Sequence, residues 1–496
     1  MKASDIRSPE VCNRVRSTHD GASNNRSLFQ LRLTAVHLGI VVAAIAALNA
    51  GAQPSGSKPL FTAIENDRLV KASSAQTKLL EQMRHRPTTE WLHLVHVVPE
   101  ALLGDELTIT IPGGGEFKVA HTGGEGKNNR NLSWSGKVEG KETGTATFVL
   151  RNGIMTGSIN SSTGLYQIES IGGGAYAVIK VDRTKLPPDE PPSSPEKAPQ
   201  PPAPQPAPGM ADRNANASDA PPAQIDVLIA YTPAAKAAVS DIDGTIALAV
   251  ANSNAAFANS SINVHLNLAG SLQVNYSEKD SAGNYKSFDT ILQDFTANTT
   301  VKLRRSLLGA DVAALIMDQP AACGQADAIG ATASTAYVIV QDGCAASNYS
   351  LGHEIGHLMG CRHDVQDDPT DTPYAYSHGF IHLVDAATPN DTAWRTIMAY
   401  PQPCNWCPRL EYFSDPSILY SGFPMGTAAK EDCHRVWNER GPTVAKFMSP
   451  PKMQICVNGR FTFAPCHVGT VPGIQREVCV NGRWAASGSC ARLLLP

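Results

Sequence analysis

Residues 353–364 carry the densest set of side chains able to do chemistry: His353-Glu354-Ile355-Gly356-His357-Leu358-Met359-Gly360-Cys361-Arg362-His363-Asp364. On a helix, His353 and His357 are one turn apart and project from one face. Both imidazoles can then reach a single ion at the ~2.0–2.1 Å of a zinc–nitrogen bond. Leu351, Ile355 and Leu358 fall on the other side, which predicts one face in a core and the other on a cleft. Gly360 is placed to end the helix in a left-handed conformation that other residues reach only at steric cost. The chain can then turn and bring His363 back as the third ligand. Three protein ligands leave one coordination position open to water, as a catalytic zinc requires. Glu354 neighbours the first ligand and does not easily bind the same ion; it is placed to take a proton from that water and pass it to a leaving amine. A chance match to all six of His, Glu, His, Gly, His and Asp is on the order of 10⁻⁶, so the segment predicts zinc-dependent peptide hydrolysis.

The elements around this segment predict an α/β (α+β) domain with a mixed twisted sheet, over residues 224–450. Ile225 to Ala230 reads as a short apolar strand. Ile246, Ala249, Val250, Ser253 and Phe257 lie at helical spacing, and Ile262, Val264, Leu266 and Leu268 alternate with polar residues as a strand does. A single helix around Phe288 to Leu308 leads to strands at Val312 to Met317 and Tyr337 to Val340. Strands alternating with helices indicate helices packed on a sheet.

Residues 53–186 read instead as β-rich, with a leading helix around Ala75 to Met83. Leu107, Ile109 and Ile111 alternate with polar residues, and Asn152-Gly153 joins Ala146–Leu150 to Met155–Asn160 as a hairpin turn. The stretch 187–223, dominated by proline and alanine, reads as an exposed linker open to proteolysis. At the other end, residues 451–496 form a small Cys-rich module. There Cys456-Val-Asn-Gly-Arg-Phe461 is echoed by Cys479-Val-Asn-Gly-Arg-Trp484, two hairpins that disulfides would staple.

Arg26 and Arg32 precede the apolar run Leu38–Leu48, and Ala50-Gly51-Ala52 follows, so residues 1–52 read as a signal peptide and the mature protein as secreted, with no membrane anchor. Cys12 lies ahead of the run; the other ten cysteines, from Cys323 onward, read as disulfides in an oxidising compartment. Cys404-Asn405-Trp406-Cys407 could be half of a second zinc site, but no second CxxC stands at ribbon spacing. A formal charge of −4 without a dense basic run argues against nucleic acid as a partner. His378, His382, His434 and His467 read as packing or surface residues.

The zinc segment resembles the metzincins, whose HExxHxxGxxH motif is followed by a Met-turn. Thr396-Ile397-Met398-Ala399-Tyr400 stands in the Met-turn's place, which implies Met398 as an apolar floor beneath the ligands. Asp364 after the third histidine is similar to the reprolysin branch, where that acid is structural; Thr396 departs from the cysteine usual there. Tyr400 resembles the Met-x-Tyr of astacins and serralysins, which implies a hydroxyl near the zinc or the tetrahedral intermediate. Ile225 to Ala235, Thr372 to Tyr376, Arg395 to Tyr400 and Tyr412 to Pro416 resemble the bacterial peptidyl-Asp metalloendopeptidases. That resemblance implies cleavage on the amino side of aspartate. A substrate carboxylate entering a buried pocket needs a cation, for which Arg409 is the candidate, with Arg395 and Arg362 behind it. It also implies self-cleavage points before Asp212 and Asp219. The β-rich region is expected to be a propeptide that inhibits its own catalytic domain; lacking cysteine, it would act by steric occlusion or through a carboxylate, Asp182 or Asp189. A reading of a different kind makes the chain an exported adhesion or binding protein that uses the Cys-rich module, with the zinc domain a vestige.

Overall fold

Strand β1 (Ala223–Tyr231) is apolar on both sides: Ile225, Val227 and Ile229 enter one core, Leu228 and Ala230 another. A run of that kind belongs in the middle of a parallel sheet covered on both faces. In the computed structural model, β1 pairs in parallel with β2 (Val264–Gln273) and β3 (Val312–Met317), and β3 in parallel with β5 (Tyr337–Gln341). The short strand β4 (Gly324–Ala326) runs antiparallel to β5 and leaves its other side as the sheet edge. On one face lie α1 (Ile242–Asn259), α4 (Ser350–Met359) and α5 (Cys433–Val444), around a core that includes Ile246, Phe257, Leu351, Ile355 and Trp437. The other face is covered by α2 (Phe288–Ala297) and α3 (Thr299–Leu308).

The α2–α3 region corrects the expectation of one helix from Phe288 to Leu308. Asn298 breaks it: its side chain accepts from the Val301 N–H at 3.1 Å and so caps α3. Asparagine competes for backbone hydrogen bonds in this way and favours helix starts over interiors.

The structure describes residues 58–64, 73–126, 128, 130–139, 144–189 and 221–449, together with four strands between 452 and 487. The expected signal segment, Cys12, and most of the linker with Asp212 and Asp219 lie outside the described residues. Among the described residues no helix is long and apolar enough to cross a membrane. In the C-terminal module, Lys452–Val457 pairs with Arg460–Pro465 and Arg476–Val480 with Arg483–Ser487, so each copy of the Cys-Val-Asn-Gly-Arg echo falls on a hairpin pair.

Among the described residues, the N-terminal β-rich region is one ten-stranded sheet, antiparallel except where Lys58–Pro59 meets Glu106–Ile111. Its helix Ser74–Arg84 starts with a capping box between Ser73 and Gln76. The hairpin Gly144–Arg151 and Ile154–Ser161 turns through Asn152 and Gly153, both at positive φ, as a two-residue turn between right-handed strands demands. This hairpin lies on α1. Val149 joins the α1 core, and the Asn252 amide donates to Ser158 Oγ at 3.1 Å. Further along, Arg86 and Glu169 form a pair from which Arg86 also donates to the Ala238 carbonyl at 2.9 Å.

Candidate active site and metal centre

Helix α4 carries His353, Glu354 and His357, and every one of its residues is buried. The face expected on a cleft is therefore closed in the full chain, where the Asp189 carboxylate comes within 3.9 Å of His353 Nε2. Gly360 ends α4 at φ +115°, and a Cβ there would stand 2.9 Å from the Tyr374 ring, so both backbone and space call for glycine. The chain turns and pairs Arg362–Asp364 with His378–Gly379. His378 Nδ1 lies 2.9 Å from the His363 carbonyl oxygen and fixes the backbone of the third histidine. The reading of His378 as a packing residue holds, with a positioning task that spacing alone could not reveal.

The three histidines converge through one nitrogen each. His357 Nε2 is 3.2 Å from His353 Nε2 and 3.0 Å from His363 Nε2. Ligands bound at about 2.0–2.1 Å to one tetrahedral zinc stand about 3.3 Å apart. The Nδ1 atoms of His353 and His357 face the carbonyls of Ile397 and Cys361 at 2.9 and 2.8 Å, and such partners set the tautomer that leaves Nε2 as a lone pair. Burial takes His353 down to about pKa 3, with Asp189 opposing and Arg409 adding to the drop, and His357 is likewise held well below the ordinary range by burial and its two histidine neighbours. Three ring nitrogens pointing at one another form a donor set for a cation, and the residues fit zinc.

Glu354 lies beside this set with both carboxylate oxygens buried and unpartnered. Burial first, then the neighbouring Asp189, push its carboxyl well above the usual range, with Arg409 opposing. Gly324 on β4 makes room for it, since a Cβ there would fall 2.5 Å from Glu354 Oε1. We expect Gly324→Ala to keep zinc but lower kcat/KM by about 100-fold, the order lost when a reacting group is displaced by an ångström; metal content and steady-state kinetics measure both.

Below the ligands, Met398 is fully buried, and its sulfur occupies the space a side chain at Gly356 would need. Tyr400 packs at a tilt against His363 with ring centroids 4.0 Å apart and donates from its hydroxyl to the Asp189 carbonyl at 2.7 Å. Asp364 accepts from the Tyr400 N–H at 2.9 Å and from the Gln366 N–H at 3.2 Å, which ties the third-ligand loop to the Met398 turn.

Of the two candidate carboxylates, Asp189 is the one that reaches the histidines. Its carboxylate pairs with Arg409, and the same oxygen lies 3.9 Å from His353 Nε2. Burial raises the Asp189 carboxyl, but Arg409, His353 and Arg395 outweigh it and hold the group below the usual carboxylate range. Asp182, the other candidate carboxylate, is elsewhere: it accepts from the Thr184 N–H at 3.0 Å in an exposed turn. Arg362 is committed to Asp368 at 2.6 Å and to the Thr372 carbonyl, away from Asp189.

The cysteine expectation needs one correction. Cys323–Cys344 and Cys404–Cys407 are bridged, so the latter pair is no zinc half-site, whereas Cys361 and Cys433 are buried free thiols. His434 lies between Asp432 at 3.3 Å and Asp415 at 3.6 Å, and His382 meets Asp391 at 2.8 Å.

Glu411, two residues past Arg409, is buried in the seam with the N-terminal sheet, and Asn259 reaches its carboxylate at 3.4 Å. Burial, against hydrogen bonds from Thr145 and Thr147 and the charge of Lys137, raises it from 4.5 to about 8. The folded chain thus keeps a proton that the unfolded chain sheds near pH 4.5. This group is neutral to stability below that pH, and the folded state loses ground as pH rises from about 4.5 to about 8. Glu411→Gln should flatten that part of the pH dependence, so thermal midpoints of parent and variant diverge between pH 5 and 8.5 in the variant's favour.

A three-histidine centre with an adjacent glutamate, a glycine-ended helix and a methionine floor defines the metzincin class of zinc peptidases. Residues 222–414 match the Metallo-peptidase family M12. A peptidyl-Asp metalloendopeptidase of Stenotrophomonas maltophilia (strain K279a) is 37% identical over 313 residues, 62% of this chain and 71% of that protein. One from Xanthomonas campestris is 31% identical over 427 residues, 82% of this chain and 98% of the relative. The chain belongs to metallopeptidase family M12, in the group of the bacterial peptidyl-Asp metalloendopeptidases, and is a zinc-dependent endopeptidase. The complete donor set leaves no ground for reading the zinc domain as a vestige.

Proposed function

We propose that this chain is made as a secreted, latent precursor whose catalytic unit, residues 224–450, cuts peptide bonds on the amino side of aspartate. The observation that carries the reading is the convergence of His353, His357 and His363 beside the unpartnered carboxylate of Glu354. Zinc, when bound, supplies Lewis acidity to the scissile carbonyl and to the attacking water. Glu354 takes the proton of that water and returns it to the leaving amine. Tyr400 donates its hydroxyl to the oxygen on which negative charge develops, once Asp189 has withdrawn from it. Met398 supports the ligands from below, and Asp364 holds the loop that carries His363.

Residues 53–186 act as the propeptide, with Asp189 as the carboxylate that blocks the centre, and residues 1–52 direct export. The relatives' name supports aspartate as the recognised residue, and Arg409 is the cation that would receive it. Mass spectrometry of peptides cut by the purified, processed protein tests the reading. New N-termini should begin with Asp and disappear when zinc is chelated; cuts without regard to Asp would overturn the specificity, and cuts that survive chelation would overturn the mechanism.

A further inference from the structure

Arg395 and Arg409 stand side by side. Their strands bridge in parallel, with the Arg395 N–H on the Pro408 carbonyl at 3.0 Å and the Leu410 N–H on the Arg395 carbonyl at 2.8 Å. Both side chains are buried, and the Nε of each has no partner. Arg409 donates to the Asn348 carbonyl at 2.9 Å and Arg395 to the Ala399 carbonyl, so each is held in place by backbone. Two guanidiniums brought together out of water repel unless an anion lies between them and solvent. Asp189 is that anion here; the pocket around it, closed by Pro401, Trp406 and Cys407, leaves only about 30 Å³.

The way Asp189 arrives matters as much. The Cys323 N–H, just before edge strand β4, donates to the Pro188 carbonyl at 2.7 Å. The segment thus lies on the sheet edge by a main-chain hydrogen bond, the mode in which extended peptides add to an exposed strand. Its Pro188 carbonyl is turned to Cys323, and on the metal-facing side of His353 the Asp189 carboxylate oxygen lies 3.9 Å from Nε2.

We infer that Arg409 and Arg395 form one anion pocket used twice: by Asp189 in the precursor, and by the substrate's aspartate after the precursor is processed. Asp189 is then an internal copy of the recognised residue, presented in a register that cannot be cut. The inference rests on the proposed latency and aspartate preference, and adds that one pair of arginines carries both. It follows that the processed enzyme is inhibited by small aspartyl carboxylates and by its own products that begin with Asp.

Three measurements on the full chain and on its processed form decide the matter. In the processed parent, N-acetyl-aspartate should compete with a peptide substrate, and N-acetyl-asparagine should not; equal effects of the two, or none from either, would overturn the inference without any variant. Next, Arg409→Gln should lower the Asp-over-Asn preference in kcat/KM by about 100-fold and also make the intact precursor active. Arg409→Lys, which keeps the charge but loses the fork, should fall between, and retained zinc shows that each variant is folded. Arg395→Gln should shift the same two readouts in the same direction. If Arg409→Gln releases latency but leaves the Asp preference intact, the shared pocket is wrong while latency stands. If the intact parent is already as active as the processed enzyme, it is the latency reading that fails.

Discussion

Glu354→Ala in the processed enzyme is expected to retain zinc and to lower kcat/KM by about 10²–10⁴-fold, the range that a well-placed general base contributes. The reason is positional. Glu354 sits one residue from His353 on α4, its oxygens are buried and unpartnered, and the three Nε2 atoms converge without it. Removing the carboxylate therefore takes away a proton acceptor and not a ligand. His357→Ala supplies the contrast: it should lose the metal itself, since it deletes the nitrogen closest to both of its partners. Metal analysis beside kinetics separates the two. A Glu354→Ala enzyme with parental turnover would end the mechanism, and one that has lost its zinc would make Glu354 part of the metal site.

The zinc centre was legible because its determinants are local. Helical periodicity puts His353 and His357 together, a glycine stops the helix, and His363 follows within three residues. Local signals likewise placed the Asn152-Gly153 hairpin and the apolar β1. Where the reading missed, a partner distant in sequence or an overlooked cap was decisive. Asn298 was a visible start signal inside the segment taken as one helix. Gly324 and Gly356 look like ordinary glycines until Glu354 and Met398 are placed against them. His378 gives no hint in sequence that it holds the His363 carbonyl. Cys361 and Cys433 satisfied an even count yet remain thiols. Asp182 and Asp189 could not be told apart from composition: one lies just before the proline-rich linker and the other at its start, and only the path of the chain decides which one enters the centre.

That choice leads to the second large effect, in the intact precursor. Asp189→Ala should raise its activity on a small peptide substrate by about 10²–10³-fold while the chain remains uncut. Breaking a buried, hydrogen-bonded ion pair by deleting one partner costs about 3–5 kcal/mol, and about 1.4 kcal/mol is a tenfold change in an equilibrium. The pair lost is Asp189 with Arg409, together with the block that the carboxylate sets 3.9 Å from His353. The Tyr400 hydroxyl would still find the residue-189 carbonyl, and the Cys323 N–H the Pro188 carbonyl, so the segment would stay near the edge strand but hold it weakly. The rest of the seam, which includes Val149 in the α1 core, the Arg86 contact with Ala238 and the Asn160 amide on the Arg409 carbonyl, should keep the N-terminal sheet attached. The rise is therefore expected without release of the propeptide, which mass spectrometry at the end of the assay checks. Asp182→Ala, whose carboxylate only caps an exposed turn, should leave the precursor as inactive as the parent. An intact Asp189→Ala precursor that stays silent would show that latency is steric, carried by the covering sheet and not by this carboxylate.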